Sequence, residues 1–341
     1  MQAGIEQRAF PGASIAVAHQ GKLIARKAFG HFTYDAGSPR VTSQTIYDLA
    51  SLTKVVAATA ACMLLYQHGQ LRLKQPVRDM LPEVSGNDPR RSSITFGMLL
   101  AHCSGFPAYI KLFENSRSRE ELLQQACSVP LSHDPGSHAE YSDIGFILLG
   151  EALERITGMP LDVFCRQKLF LPLSLPTMTF NPAAKLRSLI PPTEDDKTFR
   201  CRVIQGEVND ENASVMGGVA GHAGLFSTAS DVALFAECML RGDAPLWDLH
   251  TVELFTRRQT SPAGTSRALG WDTPSPPSQS GRYFSPGSYG HLGFTGTSLW
   301  IDPERQLSVT LLTNRTWPDR TPQAIKQIRP AFHDAVIEAL K

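Results

Sequence analysis

The sequence lacks any marked excess of charge: 33 Lys and Arg stand against 32 Asp and Glu, a formal net charge of +1 over 341 residues. No basic block or stripe is visible, which argues against nucleic acid or an anionic membrane surface as a partner. Paired cysteines are missing too. The six cysteines, at 62, 103, 127, 165, 201 and 238, never form Cys-x-x-Cys. They read as scattered reduced thiols, so neither a disulfide framework nor a metal site is expected. There is no long hydrophobic run. The longest, residues 55–66, falls short of the ~20 residues that a bilayer-spanning helix needs. The opening Met1-Gln2-Ala3-Gly4-Ile5-Glu6-Gln7-Arg8 lacks the basic start and apolar core of a secretion signal. That predicts a cytoplasmic protein, or a periplasmic or secreted one if a leader has been removed. No internal repeat is present. What remains is the composition of a globular protein, 42% hydrophobic and 19% charged, long enough for one large or two interlocked domains.

Both ends of the chain read as strands. Residues 14–18 and 23–25 flank the turn His19-Gln20-Gly21-Lys22, a hairpin signal. Residues 298–301 and 307–312 flank a second turn at Asp302-Pro303-Glu304-Arg305. A closing helix follows, with Ile325, Ile328, Phe332, Val336 and Ala339 at helical spacing and Pro330 expected to kink it. From about residue 76 to 180 the pattern is helical, most clearly over 144–156. These features predict an α+β fold: a three-layer α/β/α domain, residues 1–75 and 215–341, whose antiparallel sheet is built from both termini. A mostly helical domain, residues 76–214, would be inserted in it, with the active site in the cleft between them. Residues 191–212 are polar and irregular and are expected to loop over the surface, and 274–281 form a second extended loop. In Ser227-Thr228-Ala229-Ser230-Asp231 either Ser230 or Thr228 is expected to cap a helix.

The most informative stretch is Ser51-Leu52-Thr53-Lys54, at the head of an apolar run. Positions i and i+3 share a helix face, so the lysine is delivered beside the serine locally. Of ten lysines only Lys54 has a serine three places upstream. A serine hydroxyl is a poor nucleophile, and burial lowers a lysine's pKa, which would make Lys54 a base. A buried lysine in a structural ion pair is the competing reading. Tyr141-Ser142-Asp143 is a second cluster; of seven tyrosines only Tyr141 has Asp or Asn two places on. A phenol beside an ammonium would have a lowered pKa and shuttle protons, and Asp143 would hold Lys54, unless it merely caps the next helix. In Tyr289-Gly290-His291-Leu292-Gly293-Phe294 the glycines permit close approach of another backbone, and such an edge strand can aim N–H groups at an oxyanion. His291 would supply a donor or proton relay at the rim. His102 is expected to make a structural hydrogen bond, and His222, in a glycine-rich run, a packing or turn contact.

Together, Ser51-x-x-Lys54, Tyr141-x-Asp143 and His291-x-Gly293 resemble, in order and approximate spacing, the serine β-lactamase and penicillin-binding-protein superfamily. The likeness is greatest to the branch of class C β-lactamases, D-alanyl-D-alanine carboxypeptidases and β-lactamase-like esterases. Asp48-Leu49-Ala50, the stretch 99–107 and the stretch 217–228 are similar too, so the resemblance spans roughly residues 11–314. It implies a β-lactamase/transpeptidase-like fold and a cofactor-independent serine hydrolase. Ser51 would attack a carbonyl, Lys54 and Tyr141 would move the proton, and the backbone N–H groups of Ser51 and Phe294 would form the oxyanion hole. Asp143 stands where the family usually has Asn, and Leu292 where Thr or Ser often binds a substrate carboxylate. Both departures favour a small ester or D-amino-acid amide or peptide over a β-lactam as substrate. A penicillin-recognising sensor that is acylated without turnover is the alternative.

Overall fold

The computed structural model describes residues 1–241, 246–321 and 323–341. Among these the strands are β1 (Gly12–His19), β2 (Lys22–Gly30), β3 (Tyr47–Asp48), β4 (Thr179–Phe180), β5 (Pro192–Asp196), β6 (Arg202–Gln205), β7 (Leu225–Ser227), β8 (Tyr289–Leu292), β9 (Ser298–Asp302) and β10 (Leu307–Thr313). The α-helices are α1 (Gln2–Glu6), α2 (Ala60–Gln67), α3 (Phe96–Leu100), α4 (Arg119–Ser128), α5 (Asp143–Thr157), α6 (Leu161–Cys165), α7 (Glu211–Val215), α8 (Ala229–Arg241), α9 (Leu249–Thr256) and α10 (Ile325–Glu338).

The main sheet has the order β2-β1-β10-β9-β8 and is antiparallel at every pairing. Both chain ends therefore build it. Gln20 and Gly21, joining β1 to β2, have φ of 51° and 74°, the left-handed pair that a two-residue hairpin requires. Successive residues point to opposite faces, and both faces are covered. Ala13, Ile15 and Leu311 pack with Ile5, Ile325, Ile328 and Phe332 from α1 and α10. Ala16, Leu299, Ile301 and Leu312 join the larger core with Val232, Phe235 and Ala236 of α8. This is the three-layer arrangement expected, with β8 at one edge beside the site.

Pro330 lies inside α10 without ending it. A proline lacks the N–H that would bond the carbonyl four residues earlier. That carbonyl, of Lys326, accepts instead from Gln279 Nε2 at 3.1 Å. At the start of α5, Ser142 is the N-cap, its Oγ accepting from Gly145 N at 3.2 Å. Asp143 is thus freed from the capping role and its carboxylate is available elsewhere. Of the two candidates before α8, Thr228 caps, with Oγ1 accepting from Asp231 N at 3.4 Å.

Two expectations are corrected. Residues 191–212 do not loop over the surface. They fold into the antiparallel pair β5–β6 and the start of α7, burying Asp196, Asn209, Glu211 and Asn212. The polar groups find partners, some within the segment and some, such as Phe113 N for Asn212 and Arg320 for Glu211, beyond it, so low hydropathy does not require exposure. Asp196 accepts from the backbone N–H groups of Thr198, Phe199 and Arg200 at 3.0, 2.9 and 3.0 Å. Nor does the apolar run stop at residues 55–66. Ala50–Gln67 forms a continuous helical rod of 18 residues, apolar enough by composition to cross a membrane, and 83% of it is buried inside the protein. It begins as a 3₁₀ turn, Ala50–Leu52, widens to a π turn, Lys54–Thr59, and continues as α2. It is a core helix, buried on all sides from Leu52 to Leu65.

Candidate active site

The nucleophile candidate sits on a strained turn. Ala50, just before Ser51, has φ 47°, a left-handed conformation that costs a non-glycine residue free energy and persists only when its surroundings hold it. The Asp48 carboxylate does part of this, Oδ1 accepting from Ala50 N at 2.8 Å and Oδ2 from Asn209 N at 2.7 Å. Burial pushes its carboxyl up to about 6, against those two donors. Thr53 Oγ1 donates to Ala50 O at 2.6 Å. Two more hydroxyls come from beyond β8: Thr295 Oγ1 donates to Asp48 O at 2.9 Å, and Thr297 Oγ1 to Leu49 O at 3.0 Å. The approach is so close that a Cβ on Gly293 would stand 2.7 Å from Leu49 O and collide with Thr297 Oγ1. Replacing Asp48 by Asn swaps one acceptor for an N–H₂ that faces a backbone N–H. An Asp48→Asn protein is expected to lose about 1–3 kcal/mol of stability, read as a lower midpoint in denaturant unfolding; an unchanged midpoint would show that Asp48 does not brace the turn.

Lys54 is 0% exposed, and its Nζ donates to Ser51 Oγ at 3.1 Å and to His222 O at 3.2 Å. It also lies 2.7 Å from Asp143 Oδ1 and 4.8 Å from the centre of the Tyr141 ring. The structure therefore brings Ser51, Lys54, Tyr141 and Asp143 together. The expected pKa directions are reversed for both proton carriers. Burial pushes the Lys54 ammonium down, but Asp143 and Tyr141 together outweigh it and leave the pKa raised. Burial raises the Tyr141 phenol, and the ammonium beside it only partly offsets that. At rest both groups hold their protons.

His291 is buried, and its Nδ1 lies 2.8 Å from Leu292 O. A carbonyl can only accept, so Nδ1 carries the hydrogen and Nε2 presents a lone pair. Burial, then Lys54 and Arg267, hold the imidazole well below its usual pKa. Of the two roles expected at the rim, donor or proton relay, the free Nε2 of neutral His291 is an acceptor and does not serve the first. Its ring centre is 5.8 Å from that of Tyr141. His102 makes the structural bond expected, Nδ1 accepting from Ser142 N at 3.0 Å, and lies against Tyr141 with ring centres 4.7 Å apart. His222 contributes its carbonyl to Lys54, and its Nε2 is 2.8 Å from Asp210 Oδ1.

Two cavities of about 300 and 310 Å³ meet at Ser51, Tyr141 and Phe294, which line both. The first has Asp143, Asp210 and Glu211 in its wall, together with Arg320. The second extends past His291 and Leu292 to the first turns of α10. Phe294 between them is 47% exposed, its carbonyl accepts from Arg315 Nε at 2.6 Å, and its ring lies 4.4 Å from the Arg315 guanidinium and 5.5 Å from that of Arg320. Arg320 in turn pairs with Glu194 at 2.8 Å and Glu211 at 2.6 Å, fastening the β5–β6 segment beside the cavity mouth. Tyr109, Asn209, Asp210, Glu211, Arg267 and Arg320 escaped the sequence reading. None sits in a short motif; they converge only through the fold.

Fold and site define a serine hydrolase. The Beta-lactamase family model matches residues 1–331, and the chain belongs to that family. An N-acetylmuramyl-L-alanine amidase of Bacillus subtilis (strain 168) is 34% identical, aligned over 90% of this chain and 77% of its own length. A putative D-alanyl-D-alanine carboxypeptidase of Salmonella typhimurium is 33% identical over 94% of this chain and 82% of its own. Among solved structures, EstCE1, described as a hydrolase with promiscuous acyltransferase activity, superposes with a TM-score of 0.78 at 20% identity, covering 97% of this chain and 96% of its own. An octameric penicillin-binding protein homologue from Pyrococcus abyssi gives a TM-score of 0.75 at 20% identity, over 98% of this chain and 76% of its own.

Proposed function

We propose that the protein hydrolyses a small amide, peptide or ester through an acyl-enzyme on Ser51, with weak or no action on β-lactams. The observation that carries this reading is the Lys54 ammonium held 3.1 Å from Ser51 Oγ and 2.7 Å from Asp143 Oδ1. A purely structural lysine would have no need of a half-buried serine hydroxyl in the same cleft. Ser51 and His291 come from the sheet domain, residues 1–75 and 215–341, and Tyr141 and Asp143 from the helical insert, residues 76–214, so the cleft between the two parts is the catalytic one. The names of the sequence relatives, an amidase and a carboxypeptidase, support an amide bond; that of EstCE1 supports acyl transfer more broadly.

The chemistry balances without a cofactor. The Lys54–Tyr141 pair, once it has lost a proton, accepts the Ser51 hydroxyl proton as Oγ attacks the carbonyl. The backbone N–H groups of Ser51 and Phe294, which flank both cavities, hold the oxyanion. The proton passes to the leaving nitrogen or oxygen, and water then cleaves the serine ester, releasing the acid and restoring Ser51. Because both pair members have raised pKa values, the competent form is scarce at neutrality and grows as pH rises. The rate constant kcat/KM on a nitrophenyl ester is therefore expected to climb by up to about tenfold per pH unit above pH 6. A plateau beginning at pH 6 would mean that a neutral-range group, not this pair, is the base. The substrate preference is checked by a panel of nitrophenyl esters, a D-Ala-D-Ala peptide and a chromogenic cephalosporin. Faster cephalosporin turnover than ester or peptide turnover would sink it.

A further inference from the structure

The Ser51 chemistry uses the His222 carbonyl and leaves the side chain of that residue without a task. His222 is 1% exposed, and its Nε2 lies 2.8 Å from Asp210 Oδ1. Burial would raise the Asp210 carboxyl, but the His222 ring, the Ala213 N–H and Lys54 outweigh it and hold it at about 2. The carboxylate can only accept, so Nε2 carries the hydrogen. Asp210 is itself fixed as the N-cap of α7, Oδ1 accepting from Ala213 N at 2.7 Å and the carbonyl from Ser214 N at 2.9 Å. The far nitrogen, His222 Nδ1, is buried with no hydrogen-bond partner among the described residues. A side chain kept for packing alone would carry that desolvation cost for nothing.

The loop that carries His222 is thinly fastened. Gly218 N donates to Ala213 O at 2.8 Å, and Leu225 N to Thr53 Oγ1 at 3.1 Å. Between them, at residues 219–224, no backbone N–H meets a protein acceptor among the described residues. The loop lies instead against α5, where a Cβ on Gly150 would stand 2.7 Å from Gly221 N. Lys54 has a long flexible stem, and its ammonium meets three acceptors: Ser51 Oγ, Asp143 Oδ1 and His222 O. The two that do not react decide where the third N–H points. Resting on the Ser51 reading, we propose that the His222 side chain is a positioning residue: its tether to Asp210 sets the loop so that the His222 carbonyl aims the Lys54 ammonium at Ser51 Oγ.

The test follows nitrophenyl ester hydrolysis by the full-length protein, with Ser51→Ala as the blank. Glutamine can place an N–H₂ where Nε2 stands, whereas the shorter asparagine reaches only as far as Nδ1. His222→Ala and His222→Asn should therefore lower kcat by about tenfold or more with KM little changed, since small misplacements of a reacting group are costly. His222→Gln should recover most of that loss. Asp210→Ala removes the other end of the tether and should match His222→Ala, and the double variant should be no worse than either. The pH profile does not depend on how much of a variant is folded. With its carbonyl acceptor displaced, the Lys54 ammonium is less favoured, so the rise of kcat/KM should move to lower pH in His222→Ala and return in His222→Gln. The other ionisable groups that face Lys54, namely Asp143, Tyr141, Asp210, His102 and His291, are the same in every His222 variant. Parent kcat and pH profile in His222→Ala, equal losses in His222→Asn and His222→Gln, or losses that add in the double variant overturn the positioning role and leave the Ser51 reading intact. Ester hydrolysis that survives Ser51→Ala overturns that reading instead.

Discussion

Replacing Ser51 by alanine is expected to abolish turnover while leaving the fold in place. The hydroxyl accepts from Lys54 Nζ, whereas the strain of the turn is carried by Ala50, Asp48 and the threonines around it. Alanine changes none of those contacts. It removes one acceptor from an ammonium that keeps His222 O and Asp143. The unfolding midpoint should therefore shift little, by under about 1 kcal/mol in stability. The rate on any substrate should fall by about 10³-fold or more, to what binding and the oxyanion site alone provide. Intact-mass analysis after treatment with a fluorophosphonate should show one adduct on the parent and none on the variant. A variant that retained labelling would move the nucleophile to another serine.

Lys54→Met is expected to cost nearly as much activity, by a different route. Methionine is an unbranched apolar chain that suits a fully buried position near the Phe146 ring, but it offers no proton and no charge. Tyr141 would then lose its ammonium neighbour, and the burial that already raises its phenol would no longer be opposed by that charge. Both of the groups expected to take the serine proton fail together. The double variant Ser51→Ala, Lys54→Met should consequently be no worse than either single variant, since members of one catalytic unit are not additive. Stability is a separate question. Exchanging a fully buried charge for an apolar chain is often neutral or favourable, and Asp143 reaches the cleft, where water can solvate it. Retention of most of the parent rate in Lys54→Met would assign the base to Tyr141 or His291.

The parts legible in the sequence are those whose physics is local. The Gln20-Gly21 hairpin, the strands on either side of Asp302 and the helix after Tyr141 each follow from turn chemistry and spacing within a dozen residues. Ser51 and Lys54 share one turn, so their meeting could be foreseen. Two kinds of feature could not. The β5–β6 segment looked like solvent-facing coil because its polarity was visible and its partners were not; Arg200 and Asp196 satisfy one another and the backbone around them. The pKa directions differ because for Lys54 burial was weighed without its charged neighbours, and for Tyr141 the ammonium was weighed without burial. Lys54 is indeed buried, but the neighbours that decide its charge, Asp143 and Tyr141, arrive from nearly ninety positions away. The second cavity is the extreme case. Arg267, Arg315, Lys326 and Arg329 leave no mark in a chain of net charge +1, and only the fold gathers them on one side of Ser51.

The two threonine hydroxyls that bind the nucleophile turn span sequence separations of 247 and 248 residues. Ser51, Lys54, Tyr141 and Asp143 have all left the ribosome long before Thr295 and Thr297 do. Until β10 pairs with β1 and brings β9 and β8 into the sheet, the turn at Ala50 has no partner for its Asp48 and Leu49 carbonyls on that side, and loop closure over such a distance comes late in assembly. On the Ser51 reading, the growing chain is expected to stay catalytically silent until its two ends meet, so that hydrolytic activity would report that closure.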